Sequence, residues 1–217
     1  MLDKHAINWS LYLVTDRRIA GDRDIVDIVR AAIQGGATVV QMREKKATTN
    51  EMITLGRALS EITQAAGVPL IINDRIDVAL AINADGVHVG PPDDMPASLA
   101  RQILGPNRIL GVSAESPEIA RQAARDGADY IGVGDVYGTG SKEDAGKPIG
   151  LTGLKSVIAA SVLPVVGIGG IDHSNAAGVI EAGADGVALI SAVVGSQNPE
   201  KAARELRQTI GQIRRVL

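Results

Sequence analysis

One short pattern recurs through this chain and limits its fold more than any other feature. Gly36-Ala37-Thr38, Asn83-Ala84-Asp85, Gly127-Ala128-Asp129 and Gly183-Ala184-Asp185 each join the end of an amphipathic stretch to an apolar run. Gly and Asn tolerate the left-handed turn that commonly follows a helix, so each copy marks a helix-to-strand junction. Apolar runs predict strands over 11–15, 37–43, 69–73, 85–90, 109–113, 129–134, 164–168 and 185–190. Helical patterns fill 24–34, 50–66, 75–82, 96–104, 116–126, 151–161, 174–182 and 199–215. Strands alternating with helices are the mark of parallel βα units. The junction motif precedes only every second strand, and a closed barrel accommodates such a two-unit period where an open doubly wound sheet has no reason to keep it. Propeller blades would share the spacing but not the intervening helices. The expected architecture is a single (β/α)8 TIM barrel, with residues 1–217 as one domain.

Composition narrows the function. A formal charge of −3 and a pI near 5.6 argue against nucleic acid as a partner. The chain has no Cys, which removes disulfides, thiolate nucleophiles and thiolate metal sites. The first residues lack the apolar core of a signal peptide. No segment approaches the roughly 18 apolar residues that cross a bilayer, so no membrane partner and a cytoplasmic location are expected. Self-association as a homo-oligomer is left open.

In such barrels the chemistry lies on the loops that follow the strands, and polar residues gather there in this sequence. Gln41, Arg43 and Lys45 alternate along Ala37-Thr-Val-Val-Gln-Met-Arg-Glu-Lys45. Alternation puts them on one face, as a comb of two cations and an amide suited to a diphosphate. A charged strand end running into solvent would look the same. Asp74 and Asp93 follow neighbouring strands and could share one Mg2+, which takes one or two carboxylates with water and phosphate oxygens. Each could equally cap the helix after it. The stretch Gly134-Asp-Val-Tyr-Gly-Thr-Gly-Ser-Lys142 offers Thr139, Ser141 and Lys142 to anionic oxygens. Gly169-Gly170 and Ile190-Ser191 end the last two strands, where this fold frequently binds phosphate. His88 reads as a satisfied barrel residue, His173 as decoration of a helix start, and Asp77 as a cap or a support for Arg75.

This set resembles the thiamine phosphate synthase family over nearly the whole chain. The likeness rests on Leu13-Val-Thr-Asp-Arg17, Gln41-Met-Arg-Glu-Lys45, Ile72-Asn-Asp-Arg75, Gly86-Val-His-Val-Gly90, Gly111-Val-Ser-Ala114, Gly132-Val-Gly134, Gly167-Ile-Gly-Gly-Ile171 and Ile190-Ser191. The resemblance implies joining of a hydroxymethylpyrimidine diphosphate to a thiazole phosphate with loss of pyrophosphate. It implies that Gln41, Arg43, Lys45 and Asn73 hold the pyrimidine diphosphate and that Asp74 and Asp93 hold Mg2+. Ser113 would meet the pyrimidine, and Lys142 its diphosphate. Thr139, Ser141, Gly170, Ile190 and Ser191 would meet the thiazole phosphate. Arg43, Lys45, Ser113 and Lys142 are the residues expected to carry catalysis. The chain departs from the family pattern at Asp135 and Gly138, where prolines are usual and a looser loop is expected here. Pro91 stands where Gln is usual. Two other readings are a thiazole tautomerase of related fold, whose members carry His where this chain has Asp135, and a non-catalytic phosphate-binding barrel.

Overall fold

The computed structural model describes residues 4, 6–90, 95–138 and 147–215. Eight parallel strands close into a barrel in sequence order. They are β1 (Leu11–Val14), β2 (Val39–Met42), β3 (Leu70–Asn73), β4 (Gly86–Val89), β5 (Ile109–Ser113), β6 (Tyr130–Val133), β7 (Val165–Ile168) and β8 (Gly186–Leu189). The seam pairs β1 with β8, Leu11 opposite Val187. The helices outside are α1 (Arg17–Ala20), α2 (Ile25–Gln34), α3 (Thr49–Ala66), α4 (Ile76–Ala81), α5 (Ala97–Leu104), α6 (Pro117–Arg125), α7 (Gly150–Ala160), α8 (Ala176–Glu181), α9 (Ser191–Val194) and α10 (Pro199–Ile213). None of the described helices is long and apolar enough to cross a membrane.

The expected strands are all present, most of them a residue or two shorter at one end or both. Two elements were not expected. The one-turn helices α1 and α9 follow the first and last strands, and a single turn is too short to show a helical period. Several helix starts follow ordinary capping chemistry. Thr48 and Glu51 form a reciprocal box at α3, and Asp24 and Ser116 accept backbone N–H groups at α2 and α6. These caps satisfy donors that the first turn leaves without partners.

The junction motif has a hydrogen-bonding cause. Asp85 Oδ2 accepts from the Leu70 N–H at 2.8 Å, Asp129 Oδ2 from Leu110 at 2.8 Å and Asp185 Oδ2 from Val165 at 2.8 Å. Thr38 Oγ1 accepts from Leu11 at 3.0 Å. In each pair the motif residue also donates its own N–H to the same partner's carbonyl, at 2.7–3.1 Å. The polar residue before each even strand thus clamps the first or, in β5, the second residue of the odd strand beside it, at the end of the barrel away from the expected site. A clamp joining strands in pairs recurs every two units, which explains the period. The turn residues Gly36, Asn83, Gly127 and Gly183 all have left-handed φ, between 56° and 104°, as the sequence predicted.

Packing divides in two. One apolar cluster lies between strands and helices; a second, smaller one fills the barrel and contains Trp9, Tyr12, Ile71, Ile109 and Tyr130. Gly111 makes room for this second cluster, since a Cβ there would lie 2.2 Å from the Tyr130 ring. The barrel floor is therefore aromatic in a chain with one Trp, three Tyr and no Phe.

Candidate active site

Above that floor, at the C-terminal ends of the strands, a cavity of about 120 Å³ opens. Gln41, Arg43, Lys45, Asn73, Asp74 and Ser113 line it together. Six of the sequence-derived candidates, from β2, β3 and β5 or just beyond them, thus meet at one place. Ile190 also lines the cavity, whereas Gly170 and Ser191 do not. Asp93, Thr139, Ser141 and Lys142 lie outside the described residues, as does Pro91.

The comb forms, with a correction. β2 ends at Met42, so strand alternation carries only Gln41, and Arg43 and Lys45 follow on irregular backbone. What holds them is specific bonding. The Arg43 N–H donates to Thr15 Oγ1 at 3.0 Å, and its guanidinium reaches Asp16 Oδ2 at 3.3 Å. Asp16 is buried, and its other oxygen caps α1 at Ile19. One carboxylate therefore fixes Arg43 and starts the helix beside it. The guanidinium has five donors in all, so contact with Asp16 leaves it able to meet an anion. Glu44, between the two cations, has its side chain buried and meets Arg17 at 3.2 Å.

Lys45 Nζ lies 2.7 Å from Asp74 Oδ2. Both side chains are partly open to solvent, so this pair contributes little to stability and is readily remade around a ligand. Asp74 has φ 63°, one of only two non-glycine residues among those described to do so. The left-handed region is costly for most side chains and tolerated by Asp and Asn. Its N–H is spent on the His88 carbonyl at 2.9 Å. The helix after it begins with Arg75 at the cap position and has no side-chain cap, so Asp74 is not a capping residue. Instead, a strained turn aims its carboxylate at the cavity. Among the described residues no three His, Cys, Asp or Glu side chains gather as a metal cage. Asp77 supports Arg75 through two hydrogen bonds of 2.8 and 2.6 Å. That partner draws the Asp77 carboxyl below its usual range and raises Arg75 further.

The floor of the cavity holds residues that sequence reasoning set aside or missed. Gln41 Nε2 donates to the Tyr12 hydroxyl at 2.9 Å. Tyr12 and Tyr130 hydroxyls are 2.7 Å apart. Tyr130 meets His88 Nδ1 at 2.9 Å, and His88 Nε2 meets Ser113 Oγ at 3.0 Å. Burial pushes both phenols well above their ordinary range, so each keeps its proton. His88 is thus a satisfied barrel residue, and it also lines the cavity. A Cβ at Gly132 would sit 3.1 Å from its ring, which gives that glycine a role. His173 bonds the Ala202 carbonyl at 3.1 Å, tying the loop after β7 to α10.

Gly169 and Gly170 have φ 102° and 63°. A Cβ on Gly169 would fall 1.8 Å from Asp135 Oδ1, and one on Gly170 2.2 Å from the Gly138 carbonyl. These glycines seat the segment after β6 on the end of β7. Val136 and Tyr137 donate to the Ile168 and Gly169 carbonyls at 3.0 and 3.1 Å. Asp135 Oδ1 accepts from Gly138 N–H at 3.1 Å. Residues 135–138 are therefore bound in place, not loosened by loss of proline, and Gly138 has φ 94°, which proline cannot adopt.

Comparison with known proteins gives one answer. A model of the thiamine monophosphate synthase family matches residues 11–193. A thiamine-phosphate synthase of Roseiflexus castenholzii is 60% identical over 196 residues, covering 90% of this chain and 86% of the relative. One of Moorella thermoacetica is 53% identical over 206 residues, covering 95% and 98%. The structure of thiamine phosphate pyrophosphorylase from Pyrococcus furiosus superposes with a TM-score of 0.87 at 43% identity, covering 95% of this chain and 97% of that one. With the fold, the order of the motifs and these relatives in agreement, the chain belongs to the thiamine monophosphate synthase family.

Proposed function

We propose that this enzyme joins a hydroxymethylpyrimidine diphosphate to a hydroxyethylthiazole phosphate, releasing pyrophosphate and forming thiamine phosphate in the cytoplasm. The observation that carries the reading is the meeting of Gln41, Arg43, Lys45, Asn73, Asp74 and Ser113 at one cavity on the C-terminal face of the barrel. Arg43, held by Asp16, and Lys45 would bind the diphosphate, with Asn73 beside them. Ser113 and Gln41 would meet the pyrimidine ring. Ile190, Ser191 and Gly170 would meet the thiazole phosphate, with Thr139 and Ser141. Asp74 suits Mg2+: it is a hard oxygen donor at the cavity, and among the described residues its carboxylate meets a half-exposed lysine. Asp93 is the second proposed ligand. Mg2+ bound there would supply positive charge to the diphosphate oxygens.

The bond from the pyrimidine methylene to the diphosphate oxygen breaks first, and its electron pair leaves with pyrophosphate. Arg43, Lys45 and Lys142 stabilise the charge that builds on the leaving group. The electron-rich aminopyrimidine bears the resulting methylene cation. The lone pair of the thiazole nitrogen then forms the new C–N bond. No proton is moved in that step, so no general base is required. The cavity must exclude water from the cation, and the glycine-rich segment after β6 is the proposed cover. Turnover of the two purified substrates to thiamine phosphate, with pyrophosphate released in equal amount, tests the reading. A tautomerase, or a barrel that only binds phosphate esters, would form neither product.

A further inference from the structure

We infer that Tyr12, Tyr130 and His88 are positioning residues forming a one-way hydrogen-bond wire, which fixes Gln41 as an acceptor and Ser113 as a donor towards the cavity. The direction follows from the first bond. An amide nitrogen can only donate, so Gln41 Nε2 gives its proton to the Tyr12 oxygen at 2.9 Å. Tyr12 must then send its own proton to the other neighbour, the Tyr130 oxygen at 2.7 Å. Tyr130 in turn donates to His88 Nδ1 at 2.9 Å. A neutral imidazole accepting at Nδ1 carries its proton on Nε2, which faces Ser113 Oγ at 3.0 Å. Ser113 is left with a proton to offer the cavity, and Gln41 with its carbonyl oxygen. An imidazolium would place two donors on Tyr130 and strand a buried phenol proton, so the neutral ring is the form that fits.

The five residues come from β1, β2, β4, β5 and β6. The wire therefore links opposite walls of the barrel, and neither end can reverse alone. Its consequence is a choice of ring edge, resting on the function proposed above. An aminopyrimidine offers an amine donor and ring-nitrogen acceptors, matching an acceptor at Gln41 and a donor at Ser113. The corresponding oxopyrimidine offers a carbonyl and a ring N–H, the reverse pattern. A site whose polar groups are fixed in direction rejects such an analogue because both sides are left unpaired.

The decisive measurement is the tautomer of His88 in the substrate-free protein, read from the nitrogen resonances of protein labelled at histidine, with His88→Gln assigning the signal. The expected result is a bare Nδ1 and a protonated Nε2. Gln41→Glu should invert it. A carboxylate only accepts, so every bond in the wire reverses and the proton moves to Nδ1, although Gln41 does not touch the histidine ring. Tyr12→Phe should cut the wire near its start and let both tautomers populate. A wild-type proton on Nδ1, or a tautomer unchanged in both variants, would overturn the inference. For activity, Tyr130→Phe should raise the KM for the pyrimidine diphosphate about tenfold, the worth of one oriented hydrogen bond, and leave that for the thiazole phosphate unchanged. Equal changes in both would mean that Tyr130 only fills space. The predicted tautomer in a protein with no synthase turnover would refute the proposed function and leave the wire standing; the reverse outcome would do the opposite.

Discussion

The four clamps at the strand starts allow a stability difference to be worked from single bonds. Asp185→Ala removes the acceptor of the Val165 N–H, and among the described residues the Asp185 carboxylate forms no ion pair. Val165 is 1% exposed, so water cannot readily replace the lost oxygen. An orphaned buried donor costs about 1–3 kcal/mol. Asp129 does more: it accepts from Leu110, from Arg101 at 2.6 Å and from Lys4 at 2.9 Å. Arg101 and Asp129 side chains are 17% and 12% exposed. Breaking a largely buried pair from one side typically costs about 3–5 kcal/mol. Asp129→Ala should therefore cost about 2 kcal/mol more than Asp185→Ala, or about 4–8 °C in Tm for a chain of this size. Asp185→Asn keeps an oxygen for Val165 and should cost about 1 kcal/mol or less. Urea and thermal unfolding followed by circular dichroism would measure the series. Turnover well below Tm should be unchanged, because the clamps sit at the end of the barrel away from the cavity. Equal losses for the two alanine variants, or none for Asp185→Ala, would refute the assignment of clamp strength to these bonds.

Asp74→Asn keeps a residue that tolerates φ 63°, so the fold should survive while activity and its Mg2+ dependence both fall; a Mg2+ titration of initial rate checks this. Gly170→Ala places a Cβ 2.2 Å from the Gly138 carbonyl, so it should disturb the segment after β6, lowering kcat and raising the KM for thiazole phosphate, as steady-state kinetics would show. Burial raises the Asp85 carboxyl above its ordinary value, so the folded state holds that proton to higher pH than the unfolded chain. The stability tied to it is full below the unfolded value, about 3.9, and is lost as pH rises through the folded one. Asp85→Asn should therefore gain relative to the wild type as pH rises across that window, as urea midpoints at several pH values would record. Lys142→Ala should lower kcat by roughly 10²–10³ with binding of the pyrimidine diphosphate nearly unchanged, as expected of a charge used mainly in the transition state. Single-turnover rates beside equilibrium binding test it.

The barrel was legible because its strands are apolar, its helices amphipathic and its junctions punctuated by Gly or Asn. The clamps were visible only as a repeated Asp or Thr; their bonds needed the pairing of neighbouring strands. Gln41, Arg43 and Lys45 were found by alternation, although β2 stops at Met42 and bonds to Thr15 and Asp16 finish the alignment. Tyr12 and Tyr130 were missed for a physical reason. Strands buried on both faces are apolar throughout, so nothing in the sequence tells which residues point into the barrel. His88 was read as satisfied, which it is, but its partners were hidden by the same ambiguity. The helices α1 and α9 left no period to read.

The single tryptophan occupies an informative place. Trp9 is 6% exposed and stacks on Tyr130 with ring centroids 4.3 Å apart. The hydroxyl of that tyrosine belongs to the wire beneath the cavity. Indole emission in this protein, excited where tyrosine does not absorb, therefore comes from one fluorophore beneath the reaction chamber. A substrate that shifts Tyr130 should therefore alter the protein's own light, and a label-free titration with the pyrimidine diphosphate would test it.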